Sequence, residues 1–191
     1  MVQAAEKLHF SREEYLAWEA LQPDRNEYVA GEVFALNSVV AMVGVRKKHA
    51  FIAGNIFAAL HSHLKGTSCS PFISDMKLQI DAVDGFFYPD VMVSCDERDT
   101  QADLYLEHPV LIVEVLSDST ASYDMGLKFE FYRNIKELQE YVLVDPERLK
   151  IWLHRKNQAG EWVLHDFPNK ADVLFESVGC RLLQSDIFEG V

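Results

Sequence analysis

The stretch Val110-Leu111-Ile112-Val113-Glu114-Val115-Leu116 decides the fold class, because it is apolar on both faces of a strand apart from one carboxylate. Such a strand is typical of the centre of a sheet that is covered on both sides. A carboxylate buried there without a partner is so costly that it must be neutralised, ion-paired or bound to a metal. Glu114 is therefore the first candidate functional residue, with a structural ion pair to Arg or Lys as the alternative.

The segments around this strand predict an α/β or α+β protein with a mixed sheet flanked by helices. Ser11 to Glu14 has the form of a capping box, so a helix should follow it and end near Pro23. The remaining predictions follow from apolar spacing and turn residues. They are a hairpin at 26–36, helices at 47–64 and 125–134, and strands at 72–80, 86–94, 141–144, 151–154 and 162–167.

Length and composition predict a single domain over residues 1–191, since a chain of this size can bury a sizeable core. No apolar run approaches the roughly 18 residues of a membrane span, and the N-terminal sequence lacks the features of a signal peptide. We therefore predict a cytoplasmic protein. The three cysteines are odd in number and widely spaced, which favours reduced thiols over a disulfide framework.

The net charge of −12 counts against unspecific binding to nucleic acid, because affinity for phosphate comes mainly from Lys and Arg. Two segments, Arg46-Lys47-Lys48 and Arg148 to Lys156, could still form a local basic patch, although either could equally be a solvated face. The chain contains neither a glycine-rich phosphate loop nor a G-x-S-x-G motif, which excludes the usual NTPases and serine hydrolases.

Asp90 is the second candidate, in a strand that can lie beside the Glu114 strand and in the sequence Tyr88-Pro89-Asp90-Val91. Taken alone it could be a turn or cap residue. Together the two carboxylates suit Mg²⁺ or Mn²⁺, because hard cations favour one or two protein carboxylates with water and phosphate oxygens. Two neighbouring buried acids also repel each other unless a cation lies between them. The predicted metal ligands are Asp90 and Glu114.

A catalytic lysine is the third expected part, because it would steer the attacking water and neutralise the phosphate. The position two residues after Glu114 is Leu116, so the usual E-x-K is broken. Lys128 can substitute if the following helix lays it over the carboxylates, with Asp124 and Tyr132 on the same helix face. The alternative is a surface Lys128 paired with Asp124.

Six motifs then carry a resemblance to a known family, the last four of them in a specific order and spacing. They are Tyr28-Val29-Ala30-Gly31-Glu32, Ser74-Asp75-Met76-Lys77, Tyr88-Pro89-Asp90-Val91, Ile112-Val113-Glu114-Val115-Leu116-Ser117, Asp124-Met125-Gly126-Leu127-Lys128-Phe129 and Glu140-Tyr141-Val142-Leu143-Val144-Asp145. Over most of its length the chain resembles the Uma-type putative restriction endonuclease family of the PD-(D/E)XK nuclease superfamily. The resemblance implies a restriction-endonuclease-like core, metal ligands at Asp90 and Glu114, and a lysine that has migrated to Lys128.

Further residues are held as possible accessories to this site. The resemblance allows Glu27 or Glu32 to add an acidic residue, and Asp75 with Lys77 to reach the same cleft. A cross-strand salt bridge would explain Glu32, Asp75 or Lys77 equally well. The other two possible accessory residues are His49, near the start of the long predicted helix, and Tyr132.

The leading hypothesis is a Mg²⁺-dependent endonuclease that hydrolyses DNA phosphodiesters by attack of a metal-activated water. The first alternative is a weakly active or inactive protein of nuclease fold that acts as a nucleic-acid-binding or assembly module, and the second is a hydrolase of small phosphoesters. We expect no membrane association. A homodimer is expected from exposed strands near Ile151 and Trp162.

Overall fold

The computed structural model describes residues 9–35, 43–117, 120–168 and 171–191 and shows an α/β fold with mixed sheets flanked by helices. The helices are α1 (Arg12–Glu19), α2 (Val43–His63), α3 (Glu97–Thr100), a segment over 121–132, and Gln184–Ile187. The strands are β1 (Asn26–Val29), β2 (Glu32–Ala35), β3 (Ser70–Ile73), β4 (Lys77–Ile80), β5 (Gly85–Phe87), β6 (Val91–Ser94), β7 (Tyr105–Leu106), β8 (Pro109–Val115), β9 (Glu140–Asp145), β10 (Lys150–Lys156), β11 (Trp162–Asp166), β12 (Asp172–Phe175) and β13 (Cys180–Leu183).

The N-terminal helix and hairpin form as their sequences predict. The amide of Ser11 donates to Glu14 Oε2 at 2.7 Å and the amide of Glu14 donates to Ser11 Oγ at 3.2 Å, which confirms the capping box. The helix ends at Glu19, four residues before Pro23. Ala30 and Gly31 both have positive φ, as the two-residue turn between β1 and β2 requires.

A six-stranded sheet in the order β11-β10-β9-β8-β6-β3 forms the centre of the molecule. Strand β8 pairs parallel with β9 and antiparallel with β6, so the prediction of a central strand is confirmed. On one face of β8, residues such as Val113 pack against apolar residues of α2, β12 and β13. The other face carries Ile112, Glu114 and Leu116 toward a second apolar cluster.

This second cluster contains the 121–132 helix and part of a five-stranded sheet in the order β2-β1-β5-β4-β7. Leu78, Phe87 and Leu106 from that sheet share the cluster with Ile112 of β8. Glu114 therefore lies between the central sheet and the elements that cover it.

Two predicted strands, 72–80 and 86–94, are each broken in the structure. The chain turns at Ser74, which has φ 52°, so β3 belongs to the six-stranded sheet and β4 to the five-stranded sheet. The second break occurs at 88–90, between β5 and β6. Apolar alternation cannot reveal such breaks, because it continues while the chain passes from one sheet to the other. The break at 88–90 places Asp90 at the junction of the two sheets.

The expectation that the cysteines are reduced is wrong for two of them. Cys69 and Cys95 form a disulfide, because they directly flank the Ser70–Ser94 pair where β3 and β6 run antiparallel. Cys180 is a free thiol, and burial raises its pKa. None of the helices in the described ranges is both long and apolar enough to cross a bilayer.

Candidate functional site

Glu114 is buried, with 3% of its surface exposed, and both of its oxygens are held by neighbouring groups. Its Oε1 accepts hydrogen bonds from Lys128 Nζ at 3.0 Å and from the Tyr132 hydroxyl at 2.7 Å. Its Oε2 accepts one from the amide of Asp90 at 3.3 Å. One carboxylate thus connects the central strand β8, the 121–132 helix and the junction before β6.

Asp90 lies at the solvent side of this arrangement. Its Oδ2 accepts a hydrogen bond from the amide of Val115 at 2.8 Å and contacts His49 Nε2 at 3.1 Å. The side chains of Asp90 and His49 remain 18% and 29% exposed, respectively. Substrate or water could therefore reach the carboxylates from this side, between the first part of α2 and the end of β8.

Lys128 is buried among three carboxylates. Its Nζ lies 3.0 Å from Glu114 Oε1, 3.1 Å from Glu27 Oε1 and 3.3 Å from Asp124 Oδ1. Glu27 reaches this position because β1 places it opposite Phe34 in the hairpin, with Tyr28 turned to the other side. The surface alternative for Lys128 is wrong, since the side chain is 5% exposed.

The backbone of the 121–132 helix explains how Asp124 and Tyr132, eight residues apart, lie on the same side as Lys128. Ala121–Tyr123 and Phe129–Tyr132 are α-helical, but Asp124–Lys128 forms a π-helix. In a regular α-helix a step of four residues turns about 40° more than a full circle. Over the two steps from Asp124 through Lys128 to Tyr132 this excess would add up, and the first and last side chains would point in clearly different directions. A π turn contains more residues, and the excess rotation from Asp124 to Lys128 is removed.

The charges of this carboxylate cluster, defined as Glu27, Asp90, Glu114 and Asp124 around Lys128, do not balance. Three of the four carboxylates lie within 3.3 Å of the one ammonium, and the fourth, Asp90, contacts the imidazole of His49. Burial raises the pKa of Glu114 well above its ordinary value, and the nearby charge of Asp90 raises it further, although Lys128 acts in the opposite direction. Burial is also the first cause of the raised pKa of Glu27 and of Asp124.

The pKa values of the two basic groups, Lys128 and His49, are also raised, but here burial acts against the rise. Burial lowers the pKa of Lys128, but the surrounding carboxylates, Glu114 first, outweigh it and raise this pKa well above its ordinary value. For His49 burial again acts downward, while the hydrogen bond to Asp90 and the charge of Asp90 give a net rise in pKa. The surrounding carboxylates therefore favour the charged form of both groups.

This donor set fits a hard divalent cation. Glu27 Oε1 and Asp124 Oδ1 are buried and lie at ion-pair distance from Lys128 Nζ without hydrogen-bond geometry, so the ammonium does not satisfy all the oxygens around it. Mg²⁺ is bound by one or two carboxylates together with waters and substrate oxygens. Asp90 and Glu114 would supply the protein ligands, because Asp90 is the member that solvent reaches.

The structure brings some of the expected accessory residues to the cluster and leaves others outside it. Glu27, His49 and Tyr132 contact its members directly. The other expected accessories have different surroundings: Asp75 pairs with Arg25, Lys77 lies 5.5 Å from the Tyr88 ring centroid, and Glu32 lies opposite Val29 on β2. Asp75 thus has an ion-pair partner outside the cluster, whereas the contact that Lys77 makes here is with a ring and not the predicted cross-strand salt bridge.

A second group of possible metal ligands was not foreseen from the sequence. Asp96, His108 and Glu137 place one donor atom each within 4.8 Å of one another. Arg98 bonds to Asp96 at 2.6 Å and to Glu137 at 3.2 Å, so a guanidinium already balances these acids. The residues come from three separate loops, and no local spacing in the sequence indicates that they meet.

Comparison with known proteins agrees with this fold. The model of the Uma2 family, described as putative restriction endonucleases, matches residues 12–183. Two uncharacterized proteins of Synechocystis sp. are 35% identical over 95% of this chain and 92% of their own, and 32% identical over 86% and 90%.

A solved structure shares the fold. It is described as a putative nuclease belonging to DUF820 from Anabaena variabilis, with a TM-score of 0.69 at 20% identity, covering 94% of this chain and 97% of that one. The family match spans most of the elements described above, including every member of the carboxylate cluster. This chain therefore belongs to the Uma2 family of putative restriction endonucleases.

Proposed function

We propose that this chain is a Mg²⁺-dependent endonuclease that hydrolyses DNA phosphodiester bonds at the carboxylate cluster. The family assignment supports a nuclease and the use of a divalent metal. The observation that carries the proposal is the charge imbalance of the cluster, in which three carboxylates converge on one buried ammonium and a fourth, Asp90, contacts the imidazole of His49. A divalent cation at Asp90 and Glu114 would remove this imbalance, which a purely structural ion pair would not create.

In this proposal each residue has a chemical task. Asp90 and Glu114 hold Mg²⁺, which when bound lowers the pKa of a water and stabilises negative charge on the phosphate. The Val115 amide and His49 fix the carboxylate of Asp90, and Tyr132 fixes that of Glu114. Lys128 supplies a positive charge that is already oriented, so its contribution to the transition state requires little reorganisation.

Basic side chains near the open side of the cluster support DNA as the substrate. Lys48 on α2 bonds to Glu147 at 2.9 Å, so the first basic segment predicted from the sequence lies beside the start of the second, at Arg148. The side chain of Arg148 is 76% exposed there. A cavity of about 220 Å³ lies beside Arg148 and Leu116. The side chain of Arg46 lies outside the part of the chain that the structure describes.

One observation favours the alternative of an assembly or binding module. Both oxygens of Glu114 already accept hydrogen bonds from the protein, which would have to loosen before a metal could bind there. In this alternative the outermost strand β11 of the six-stranded sheet pairs with a second copy to form a homodimer. Loss of the metal site would then leave the protein's role intact.

A plasmid cleavage assay tests the proposal. Supercoiled DNA is incubated with wild type, Asp90→Ala and Glu114→Ala in Mg²⁺ or Mn²⁺, and nicked and linear products are quantified. We expect both substitutions to lower the rate by at least about 100-fold, because each removes charge stabilisation of the reaction. Asp75→Ala is the matched control, since that carboxylate lies outside the cluster. Equal rates in the wild type and the two cluster variants would refute the proposal.

A further inference from the structure

A half-exposed group of aromatic rings lies on the face of β10 and β11 that also carries the 121–132 helix. The rings of Phe129 and His154 stack with centroids 4.2 Å apart, and Trp162 meets Phe129 edge-on at 5.4 Å. Apolar and aromatic residues that only complete a core are normally covered, whereas these three are each partly open to solvent. We call Phe129, His154 and Trp162 the aromatic patch.

Two cations that form no ion pair with a described residue lie beside this patch, although the charge of Glu137 acts on one of them, Lys156. Lys156 Nζ lies 5.2 Å from the Trp162 ring centroid and donates a hydrogen bond to the carbonyl of Lys136 at 3.2 Å. Arg133 follows Phe129 by one helical turn. Within the described residues neither of these two side chains lies within ion-pair distance of a carboxylate, although the chain has 30 acidic residues against 18 basic ones. The positive charge here is available to an outside anion.

The patch is connected to the carboxylate cluster through two contacts. Phe129 directly follows Lys128 in the helix, and its ring stacks on Tyr141 at 5.6 Å. The Tyr141 hydroxyl donates to the carbonyl of Asp124 at 2.8 Å. A polymer bound on the patch would therefore lie over the same helix that positions the catalytic lysine of the proposed function.

We infer that the aromatic patch binds single-stranded DNA and that the substrate of the proposed nuclease is a strand with unpaired bases. Flat rings stack on the faces of bases only where those bases are not already paired and stacked in a duplex. A chain of net charge −12 gains little from phosphate contacts alone, so stacking has to supply much of the affinity. The ammonium of Lys156 now lies over the indole of Trp162. When a base stacks on the indole in its place, this ammonium would move to the phosphate of that nucleotide.

This inference rests on the proposed function for its substrate, but its test does not need cleavage. Binding of a fluorescein-labelled oligo(dT) of about 20 nucleotides is followed by anisotropy in EDTA, beside a hairpin duplex of similar length. We expect tighter binding of the single strand, and a loss of roughly 5- to 100-fold in Trp162→Ala. Lys156→Ala should weaken binding and reduce its salt dependence.

Three controls separate recognition from folding. Trp162→Phe keeps a ring and should retain most of the affinity, whereas Trp18→Ala and Lys65→Ala change a tryptophan of α1 and an exposed lysine after α2. Both of these should bind as the wild type does. Thermal unfolding of each variant identifies any that fail to fold.

Two results would overturn the inference. The first is equal affinity of wild type, Trp162→Ala and Lys156→Ala for oligo(dT), or a preference for the duplex. The second is a change of molecular mass in Trp162→Ala without a change in DNA binding, which would make the patch a subunit interface. Specific oligo(dT) binding without plasmid or oligonucleotide cleavage would support single-strand binding at the patch and refute the proposed function, so the two failures are distinguishable.

Discussion

Glu114 and Glu140 are buried carboxylates on the adjacent parallel strands β8 and β9, yet their surroundings differ in kind. They are 3% and 0% exposed and point to opposite faces of the sheet. Glu140 is paired with a guanidinium, because Arg155 Nε donates to its Oε1 at 2.8 Å, and the other acid on Arg155, Glu176, is exposed. Glu114 shares a single ammonium with other carboxylates.

The hydrogen bonds complete the contrast. Glu140 Oε2 accepts from the Ser177 amide at 2.9 Å and from the Ser177 hydroxyl at 2.5 Å, while Oε1 also accepts from the Glu176 amide at 3.1 Å. These groups anchor the 3₁₀ turn after β12 and bring no further acid into the buried volume. A buried carboxylate with matched charge is structural, and one with surplus negative charge around it indicates a site that another cation completes.

Removing the cation from each region should produce the largest effect. Lys128→Met and Arg155→Met each leave buried acids uncompensated, so we expect each to lower the free energy of unfolding by about 3–5 kcal/mol in EDTA. Millimolar Mg²⁺ should then stabilise Lys128→Met by more than it stabilises the wild type, because the cluster has lost a competing positive charge. Urea unfolding with and without Mg²⁺ measures both quantities.

Arg155→Met provides the matched control for this metal effect. Its Mg²⁺-dependent gain should equal that of the wild type, since Arg155 is bonded to Glu140 on the other face of the sheet. If Mg²⁺ stabilised the two variants equally, the excess charge around Glu114 would not be what attracts the metal.

Replacing each glutamate by the neutral glutamine should change the free energy of unfolding less than removing the cation does, but by different amounts at the two sites. Glu140→Gln removes the charge that balances Arg155 and is expected to cost about 2 kcal/mol. Glu114→Gln removes surplus negative charge while Lys128 keeps two other carboxylates, so its cost should stay within about 1 kcal/mol or become a gain. Denaturant unfolding in EDTA gives both values, and a larger loss in Glu114→Gln than in Glu140→Gln would contradict the comparison.

The sequence allowed the centre of this site to be predicted, because the physics there is local. Glu114 stands out in an apolar strand, and burial alone requires a partner for it. Asp90 became a candidate ligand because a second buried carboxylate, Glu114, was predicted beside it. The single strand predicted around Asp90 at 86–94 is two shorter strands in the structure. Glu140, equally buried, was not recognised as a paired acid, since Arg155 and Ser177 that bond to it are distant in the chain.

Other parts depended on features that no local pattern carries. The π-helical turn that aligns Asp124 with Lys128 has no signature in apolar spacing. The chain passes from one sheet to the other at Ser74 and near Asp90, and these crossings are determined by tertiary packing, not by the local sequence. The same is true of the disulfide between Cys69 and Cys95, which follows from strand pairing.

The pH dependence of stability offers the finest test of the comparison. Burial raises the pKa of Glu114 well above its ordinary value of 4.5, and the pKa of Glu27 is raised for the same first reason. Acids with a raised pKa in the folded state take up protons on folding between their unfolded and folded pKa values. Their contribution to stability is therefore complete below about 4.5 and is lost as pH rises through the raised folded pKa.

We thus expect the free energy of unfolding of the metal-free wild type to fall from about pH 5 upward, by roughly 1.4 kcal/mol per pH unit for each proton taken up on folding. Glu114→Gln should flatten this slope, because it removes the most strongly perturbed acid of the cluster. Mg²⁺ requires the deprotonated carboxylates, so its stabilising effect should grow with pH over the same range. Stability that rises with pH in EDTA, with an unchanged slope in Glu114→Gln, would show that the cluster holds no surplus negative charge.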